Sequence, residues 1–463
     1  MQIELQQFLF SYLFYLFGGI VILITLLHML HTRRPPASMI GWLLFMIIAP
    51  YIFVLFYYFF GVRKHSKAQE KNMLNANRLE ADLPSSSSPN NTLIHSHNIP
   101  LASKNNNLKL FTNSQVAYFE FVKALNEAKS SIDLSAYVVK YDDVTSVIFD
   151  ILVQKAKEGV KVRFIIDALG SYRLYFWQKP LKKLREAGVD VHFFAPLFDF
   201  RNFTKLNLRY HRKIFIIDNS LVFSGGMNLS NEYMGASWEK DRWLDLMFKV
   251  KGDSVQDYMD IFNSDMAYVS QKKLEAPIVK QNEEGSQLLQ TLPSGPDVRG
   301  DILLEVILSS IYKAEKRIWI ITPYFIPDES ILQALKIASH KNIDIKIITP
   351  RKSNHPVADL ARSSYIRNLY EYDIDVVLYE GKMIHAKALL FDDESLFLGS
   401  SNLDYRSLLL NYEIVTISYA KEHILHMEKW MKSLMCQPHS KLKSAGKMRR
   451  IFENSVRIFA SQL

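Results

Sequence analysis

The chain has 463 residues, enough for one large core or two domains, and its 56 Lys and Arg against 47 Asp and Glu leave a net charge of +9. That excess suits an anionic partner, lipid headgroups or nucleic acid, without choosing between them. A single cysteine, Cys436, excludes an intramolecular disulfide and is consistent with a reducing compartment.

Two apolar runs open the chain. Residues 8–30 and 38–60 each extend over 23 positions without Asp, Glu, Lys or Arg. As helices, at about 1.5 Å per residue, each is long enough to cross a hydrocarbon layer of roughly 30 Å. A helical pair buried in a soluble domain would carry charge on some face. The leading "MQIELQQ" has an acid and no basic residue, unlike a cleavable signal. The sequence therefore predicts a two-helix transmembrane hairpin over residues 1–60. Arg33 and Arg34 lie in the connecting loop, and Arg63, Lys64, Lys67, Lys71 and Arg78 follow the second run. The larger count places the remainder of the chain in the cytoplasm.

Residues 61–107, with "PSSSSPNN" and "SKNNN", read as a polar tether. His95 and His97 are an isolated pair on it and suggest no metal site. Two series of alternating apolar strands and helical stretches follow, over 108–280 and 298–436, which indicates α/β layers with buried sheets. Residues 281–297, ending in the turn-rich "LPSGPD", are the expected linker between them. The basic tail 437–463 carries Ile451, Phe452, Val456, Ile458 and Phe459. It suits either a membrane surface or a face of the domain.

Each series closes on the same polar pattern. "HRKIFIID" starts at His211 and "HAKALLFD" at His385, 174 positions later, and Gly225/Gly399 and Asn228/Asn402 repeat at that offset. On an extended segment His211 and Lys213 project to one side, as do His385 and Lys387. Asp218 and Asp392 have the opposite parity and fall where the strand meets a turn, so spacing assigns them to the turn. Two imidazoles, two ammonium groups and two amides suit a phosphodiester. One His attacks phosphorus, the other protonates the departing alkoxide and later deprotonates an incoming hydroxyl, and the lysines stabilise the phosphoryl charge. Nothing in the spacing of His, Cys or carboxylates asks for a metal or other cofactor.

These motifs resemble the phospholipase D superfamily. With "RRPPAS", "VRFIIDALGS", "NLSNEYMG", "LPSGPD", "TPYFIPDES" and "GSSNLDYRSLLLNYE", the chain resembles the bacterial cardiolipin synthase branch over almost its whole length. The resemblance implies two pseudo-twofold-related α/β domains sharing one site. It assigns His211, Lys213, Asp218, His385, Lys387 and Asp392 to catalysis, and Asn228 and Asn402, with the lysines, to phosphate binding. It also implies a carboxylate orienting each His. In the second half this is Glu413. In the first half Glu239 keeps the 174-residue offset, but Asp245 opens the matching strand and is preferred. Gly226 stands where the second half has Ser400, a form common in that branch. Which His is the nucleophile stays open, with superfamily analogy leaning to His211. The expected activity is phosphatidyl transfer between two phosphatidylglycerols in a bacterial inner membrane, with anionic phospholipids and no nucleic acid as partners. The alternatives are a hydrolase or nuclease using water as acceptor, and a catalytically dead scaffold that would lack part of the constellation.

Overall fold

The computed structural model describes residues 2–32, 36–61, 90–197, 207–272 and 285–457. The chain divides into two compact units, one built on the N-terminal helices and one that holds every described strand.

In the first unit, helix α1 (Gln2–His31) includes a 27-residue apolar stretch, Leu5–His31, long enough to cross a membrane. The second expected span is not one straight helix. It consists of α2 (Pro36–Ile48), α3 (Pro50–Phe56) and a π-helical turn, Tyr57–Gly61. Pro50 has no N–H and disfavours helical geometry in the residue before it. Accordingly Ala49 leaves the helix at φ −148°, ψ 82°. The chain then folds back, so that the rings of Phe45 and Phe53 lie 5.0 Å apart and those of Trp42 and Tyr57 5.5 Å apart. The loop arginines Arg33 and Arg34, residues 62–89 with their five basic side chains, residues 281–284, and Ile458 and Phe459 lie outside the described residues.

The second unit is α/β. The strands are β1 (Ser103–Phe111), β2 (Ser131–Ala136), β3 (Lys161–Asp167), β4 (Asp190–Phe194), β5 (Ile214–Ile217), β6 (Leu221–Gly225), β7 (Met247–Gly252), β8 (Gln287–Ser294), β9 (Arg317–Ile321), β10 (Phe325–Ile326), β11 (Asp344–Pro350), β12 (Asp375–Tyr379), β13 (Ala388–Phe391), β14 (Ser395–Gly399), β15 (Leu403–Asp404), β16 (Glu413–Ser418) and β17 (His439–Ser440). Fifteen of them form one sheet, ordered β17-β12-β11-β9-β13-β14-β16-β8-β1-β7-β6-β5-β2-β3-β4. Outward from the central antiparallel pair β8/β1, the two wings pass through the same succession: β16 answers β7, β14 answers β6, β13 answers β5, and β9, β11, β12 answer β2, β3, β4. One apolar cluster draws on both wings, joining Tyr258 and Phe262 of helix Ser254–Ser270 to Met427 and Met431 of helix Lys421–Met435. Two further clusters fill one wing each.

Three boundaries differ from expectation. Residues 90–107, expected in the polar tether, belong to the α/β unit: helix α4 (Asn91–Ser96) and the turn after it bury Ile94 and Ile99 in the core of the second wing. There His97 Nδ1 lies 2.8 Å from the accepting Arg299 carbonyl and its Nε2 lies 2.9 Å from a Glu305 carboxylate oxygen. The expected linker contains β8, a central strand rather than a seam; its Leu289 and Leu292 point to opposite faces and are both buried, one in each of two clusters. The tail forms a helix, Lys447–Arg457, whose Glu453 is fully buried and pairs with Arg367 at 2.8 Å.

Candidate active site

Each His-x-Lys segment leads into an interior strand, His211–Lys213 into β5 and His385–Lys387 into β13. Just before each His, the two wings meet through an isolated parallel bridge, Tyr210 with Tyr412 and Leu244 with Ile384. His211 N donates to Tyr412 O at 2.9 Å, and His385 N donates to Leu244 O at 2.7 Å. These bridges decide which carboxylate each imidazole meets. His211 Nδ1 lies 2.9 Å from Glu413 Oε1, and His385 Nδ1 lies 2.6 Å from Asp245 Oδ2. The sequence reading, which paired each His with a carboxylate of its own half, is corrected: the pairs cross. Glu239 meets neither His and pairs instead with Arg242 at 3.0 Å.

Backbone bonds mark Asp245 and Glu413 as equivalent positions, since Gly226 N donates to Leu246 O at 2.9 Å and Ser400 N to Ile414 O at 3.0 Å. They also explain why Gly226 answers Ser400. A Cβ on Gly226 would lie 2.1 Å from Asp245 Oδ1, so the carboxylate occupies the side-chain space. In the other wing, Ser400 Oγ donates to Glu413.

The set is buried. His211, His385, Lys213, Lys387, Asp245 and Glu413 are each at most 7 % exposed. Burial, joined by the neighbouring lysines, pulls the imidazoles down to about 4 for His211 and about 3 for His385. Burial also lowers the ammonium groups, Lys213 to about 7 and Lys387 to about 8, against the opposing pull of the two carboxylates. Burial works to raise Asp245 and Glu413, but the paired imidazole and the lysines outweigh it and hold both below the ordinary range. An ionised carboxylate only accepts, so each Nδ1 carries the hydrogen and each Nε2 keeps a lone pair. Tyr137 and Tyr233 meet the rings of His211 and His385 edge-on, both at 4.9 Å between centroids.

Both imidazoles, Asn228 and Asn402 line one cleft of about 500 Å³, together with Arg209 and Arg406. Lys213 Nζ donates to the His211 carbonyl at 2.9 Å, and Lys387 Nζ sits 3.1 Å from His385 Nε2. Asn228 Oδ1 accepts from Val138 N at 3.1 Å, and Asn402 Nδ2 donates to Asp404 at 2.9 Å. Asp218 and Asp392 do not line this cleft. Each stands beyond the far end of its strand, at φ 52° and 50°, and receives three backbone N–H groups: Lys129, Ser130 and Ser131 on Asp218, Glu315, Lys316 and Arg317 on Asp392. Their assignment to catalysis by resemblance is therefore corrected to a structural one, the role that parity had suggested.

Sequence reasoning missed Tyr137, Tyr233, Arg209 and Arg406. Only Arg209 had a legible signal, since in "RYHRK" it shares parity with His211 and Lys213. Arg212, of opposite parity, is fully buried between Asp265 at 2.8 Å and Asp297 at 3.0 Å, which gives the "SGPD" turn a structural role.

Fold, cleft and comparison with known proteins define the class, a phosphatidyltransferase with a phospholipase D-like α/β fold. A family model described as "Cardiolipin synthase, PLD-like domain" matches residues 121–266 and 307–435, and the chain belongs to that family. It is 32 % identical over 417 residues to cardiolipin synthase 1 of Bacillus anthracis, covering 85 % of this chain and 82 % of that protein. It is 30 % identical over 460 residues to the probable cardiolipin synthase YwiE of Bacillus subtilis (strain 168), covering 94 % and 90 %. Among solved structures it resembles phosphatidylserine synthase of Haemophilus influenzae Rd KW20, with a TM-score of 0.58 at 15 % identity over 77 % of this chain and 95 % of that one, a likeness of fold.

Proposed function

We propose that this protein makes cardiolipin and glycerol from two molecules of phosphatidylglycerol, in a site built by two pseudo-twofold-related α/β halves. The observation that carries the reading is the crossed pair of imidazole–carboxylate couples opening onto one cleft. Nε2 of one His attacks phosphorus, forming a P–N bond as the bond from phosphorus to the glycerol oxygen breaks. The other His, neutral in the empty cleft, is protonated once the anionic phosphodiester sits beside it, and it gives that proton to the departing oxygen as glycerol leaves. Now neutral, it takes the proton from a glycerol hydroxyl of the second phosphatidylglycerol, whose oxygen attacks phosphorus and breaks the P–N bond. Lys213 and Lys387 hold the phosphoryl oxygens as their charge grows, and the amides of Asn228 and Asn402 orient them. The buried carboxylates keep Nδ1 protonated and stabilise whichever ring carries charge.

The apolar helix α1 fits an enzyme whose donor and acceptor are both membrane lipids, because anchoring confines all three to one surface. The basic residues after the apolar runs support a cytoplasmic position for the catalytic halves in a bacterial inner membrane. The test is incubation of the purified full chain with phosphatidylglycerol vesicles, without added metal, beside a His211→Asn control. Cardiolipin with equimolar glycerol, absent from the control, is the expected result. Phosphatidic acid alone would make water the acceptor and replace the transferase by the hydrolase.

A further inference from the structure

The catalytic histidines, lysines and amides account for one phosphate, yet the proposed acceptor brings a second, which is not transferred. Arg209 is buried in the cleft wall with its side chain 3 % exposed. Its Nη2 donates to the Ala195 carbonyl at 2.9 Å and its Nε lies 3.4 Å from Asp167, but Nη1 is buried with no hydrogen-bond partner. Asp167 is already engaged by the N–H groups of Leu169, Gly170 and Tyr210. A buried guanidinium with an unmade donor is costly unless something arrives to accept from it. Arg406, from the other wing, lines the same cleft. Arg209, His211 and Lys213 are alternate residues of one extended segment, which places Arg209 about 6.6 Å from His211 along the backbone. In the acceptor, the attacking hydroxyl and its own phosphate are separated by the three carbons of glycerol. The second half has Met383 at the position of Arg209, so the feature occurs once.

We propose that Arg209 and Arg406 seat the non-transferred phosphate of the accepting phosphatidylglycerol, a proposal that rests on the transferase reading above. Free glycerol as acceptor lacks this phosphate, which gives the test. Wild type, Arg209→Gln, Arg209→Lys and Arg406→Gln are each assayed on phosphatidylglycerol vesicles for cardiolipin formation and for exchange of labelled glycerol into phosphatidylglycerol. The expected result is that the ratio of cardiolipin formation to exchange falls at least tenfold in both Gln variants and recovers in part in Arg209→Lys. An unchanged ratio in Arg406→Gln, whether both activities persist or fall together, would overturn the proposal. Should Arg209→Gln lose both activities through misfolding, Arg406→Gln alone decides. Failure of the transferase reading looks different, because the wild type itself would make no cardiolipin.

A second inference rests on the N-terminal unit alone. The two arms of the folded-back segment, α2 of 13 residues and α3 with its π-turn of 12, reach only about 20 Å each, too short for a layer of roughly 30 Å. Exposed Ile47 and Ile48 stand at the bend, and a Cβ on Gly18, halfway along α1, would lie 3.2 Å from Pro50. The far end of the second arm returns to the end of α1, where Tyr57 Oη lies 2.9 Å from His28 Nδ1. Ala49 keeps both backbone groups bonded, to Phe45 and Phe53, and Pro50 brings no N–H to be stranded in lipid. We infer that α1 crosses the bilayer once and residues 36–61 enter it from the cytoplasmic face and return. Arg33 and Arg34 then join the later basic residues on one side, and the N-terminus, without Lys or Arg, lies on the other. The test uses single cysteines at Gln2 or Thr32 in a Cys436→Ala background, probed with an impermeant maleimide on spheroplasts. Labelling of Gln2→Cys in intact spheroplasts, with Thr32→Cys labelled only after lysis, is expected. The reverse pattern would establish two straight spans, and protection of both would show that α1 does not cross; either overturns the inference.

Discussion

Glu413 receives the hydrogen bond of His211 Nδ1 from 202 residues away in sequence, and Asp245 receives that of His385 in the opposite sense. Neither catalytic imidazole finds its carboxylate within its own half of the chain. The parallel bridges at Tyr210–Tyr412 and Leu244–Ile384 bring both couples together, so each histidine depends on the opposite wing for its carboxylate.

This crossing predicts how variants group. Glu413→Gln removes the charge that orients and stabilises His211, and Asp245→Asn does the same to His385. Each should lower kcat by roughly 10²–10⁴-fold, the range for a misassigned tautomer or a lost general base. Rapid-quench measurement of phosphohistidine should give Glu413→Gln the same stalled step as His211→Asn, and Asp245→Asn the same as His385→Asn. Grouping by half, with Asp245→Asn resembling His211→Asn, would show that the pairs do not act across the interface.

The Gly226/Ser400 difference makes a directional prediction. Gly226→Ser thrusts a side chain into the space of the Asp245 carboxylate and should lower kcat by about 10²-fold or more, a displacement cost. Ser400→Ala removes one donor from a carboxylate that keeps its imidazole partner, a loss of about 1–2 kcal/mol and roughly tenfold in rate. The measurement is kcat at saturating phosphatidylglycerol, with circular dichroism as a folding check. Equal effects would mean that the two carboxylates are equally open at these positions.

The depressed lysines set the pH response, and they move activity and stability in opposite directions. The ammonium form is the one that serves phosphate, so kcat/KM should fall as pH rises through 7–8, where buried Lys213 and Lys387 lose their protons. In the unfolded chain a lysine keeps its proton up to 10.5, so between these values the unfolded state binds more protons than the folded one. Stability of the unliganded protein should therefore rise with pH from about 7.5 to about 9.5. A pH–rate profile beside denaturant melts tests both, and a kcat/KM that stays flat to pH 9.5 contradicts the assigned role of the lysines.

The His-x-Lys repeat was legible because its spacing maps directly onto an extended backbone, and alternation also separated His211 and Lys213 from Asp218 before any fold was known. The succession of strands was legible in each half from its apolar runs. The partner of each carboxylate was not. Asp245 and Glu413 sit on strands that match in sequence, but their contacts are set by two single-residue bridges between wings, and no periodicity reports a contact between segments 140 or 202 residues apart. Polar "SKNNN" reads as tether by composition, yet it opens a central strand: β1 alternates buried and exposed side chains between β7 and β8. The second apolar run concealed its bend for a different reason. Length and absence of charge dominate such a reading, whereas the one residue that decides the shape is Pro50.

Asp218 and Asp392, although part of the repeated motif, should act on stability. Asp392 accepts from the N–H groups of Glu315, Lys316 and Arg317 at 2.8–2.9 Å, tying the turn after β13 to the start of β9. In Asp392→Ala those donors lose their shared acceptor at a largely buried site, a cost of about 1–3 kcal/mol. In Asp218→Ala the site is more open and water replaces part of the loss, so the cost should be about 1 kcal/mol or less. Neither side chain lines the cleft, so KM and the kcat of the folded fraction should stay within about twofold of wild type at a temperature well below the transition. Chemical melts separate the two effects. A thousandfold loss of kcat in an Asp392→Ala protein with an unchanged melting midpoint would return this aspartate to the catalytic set. Loss of midpoint with retained turnover assigns the last position of the His-x-Lys-x4-Asp repeat to holding the strand that carries the histidine.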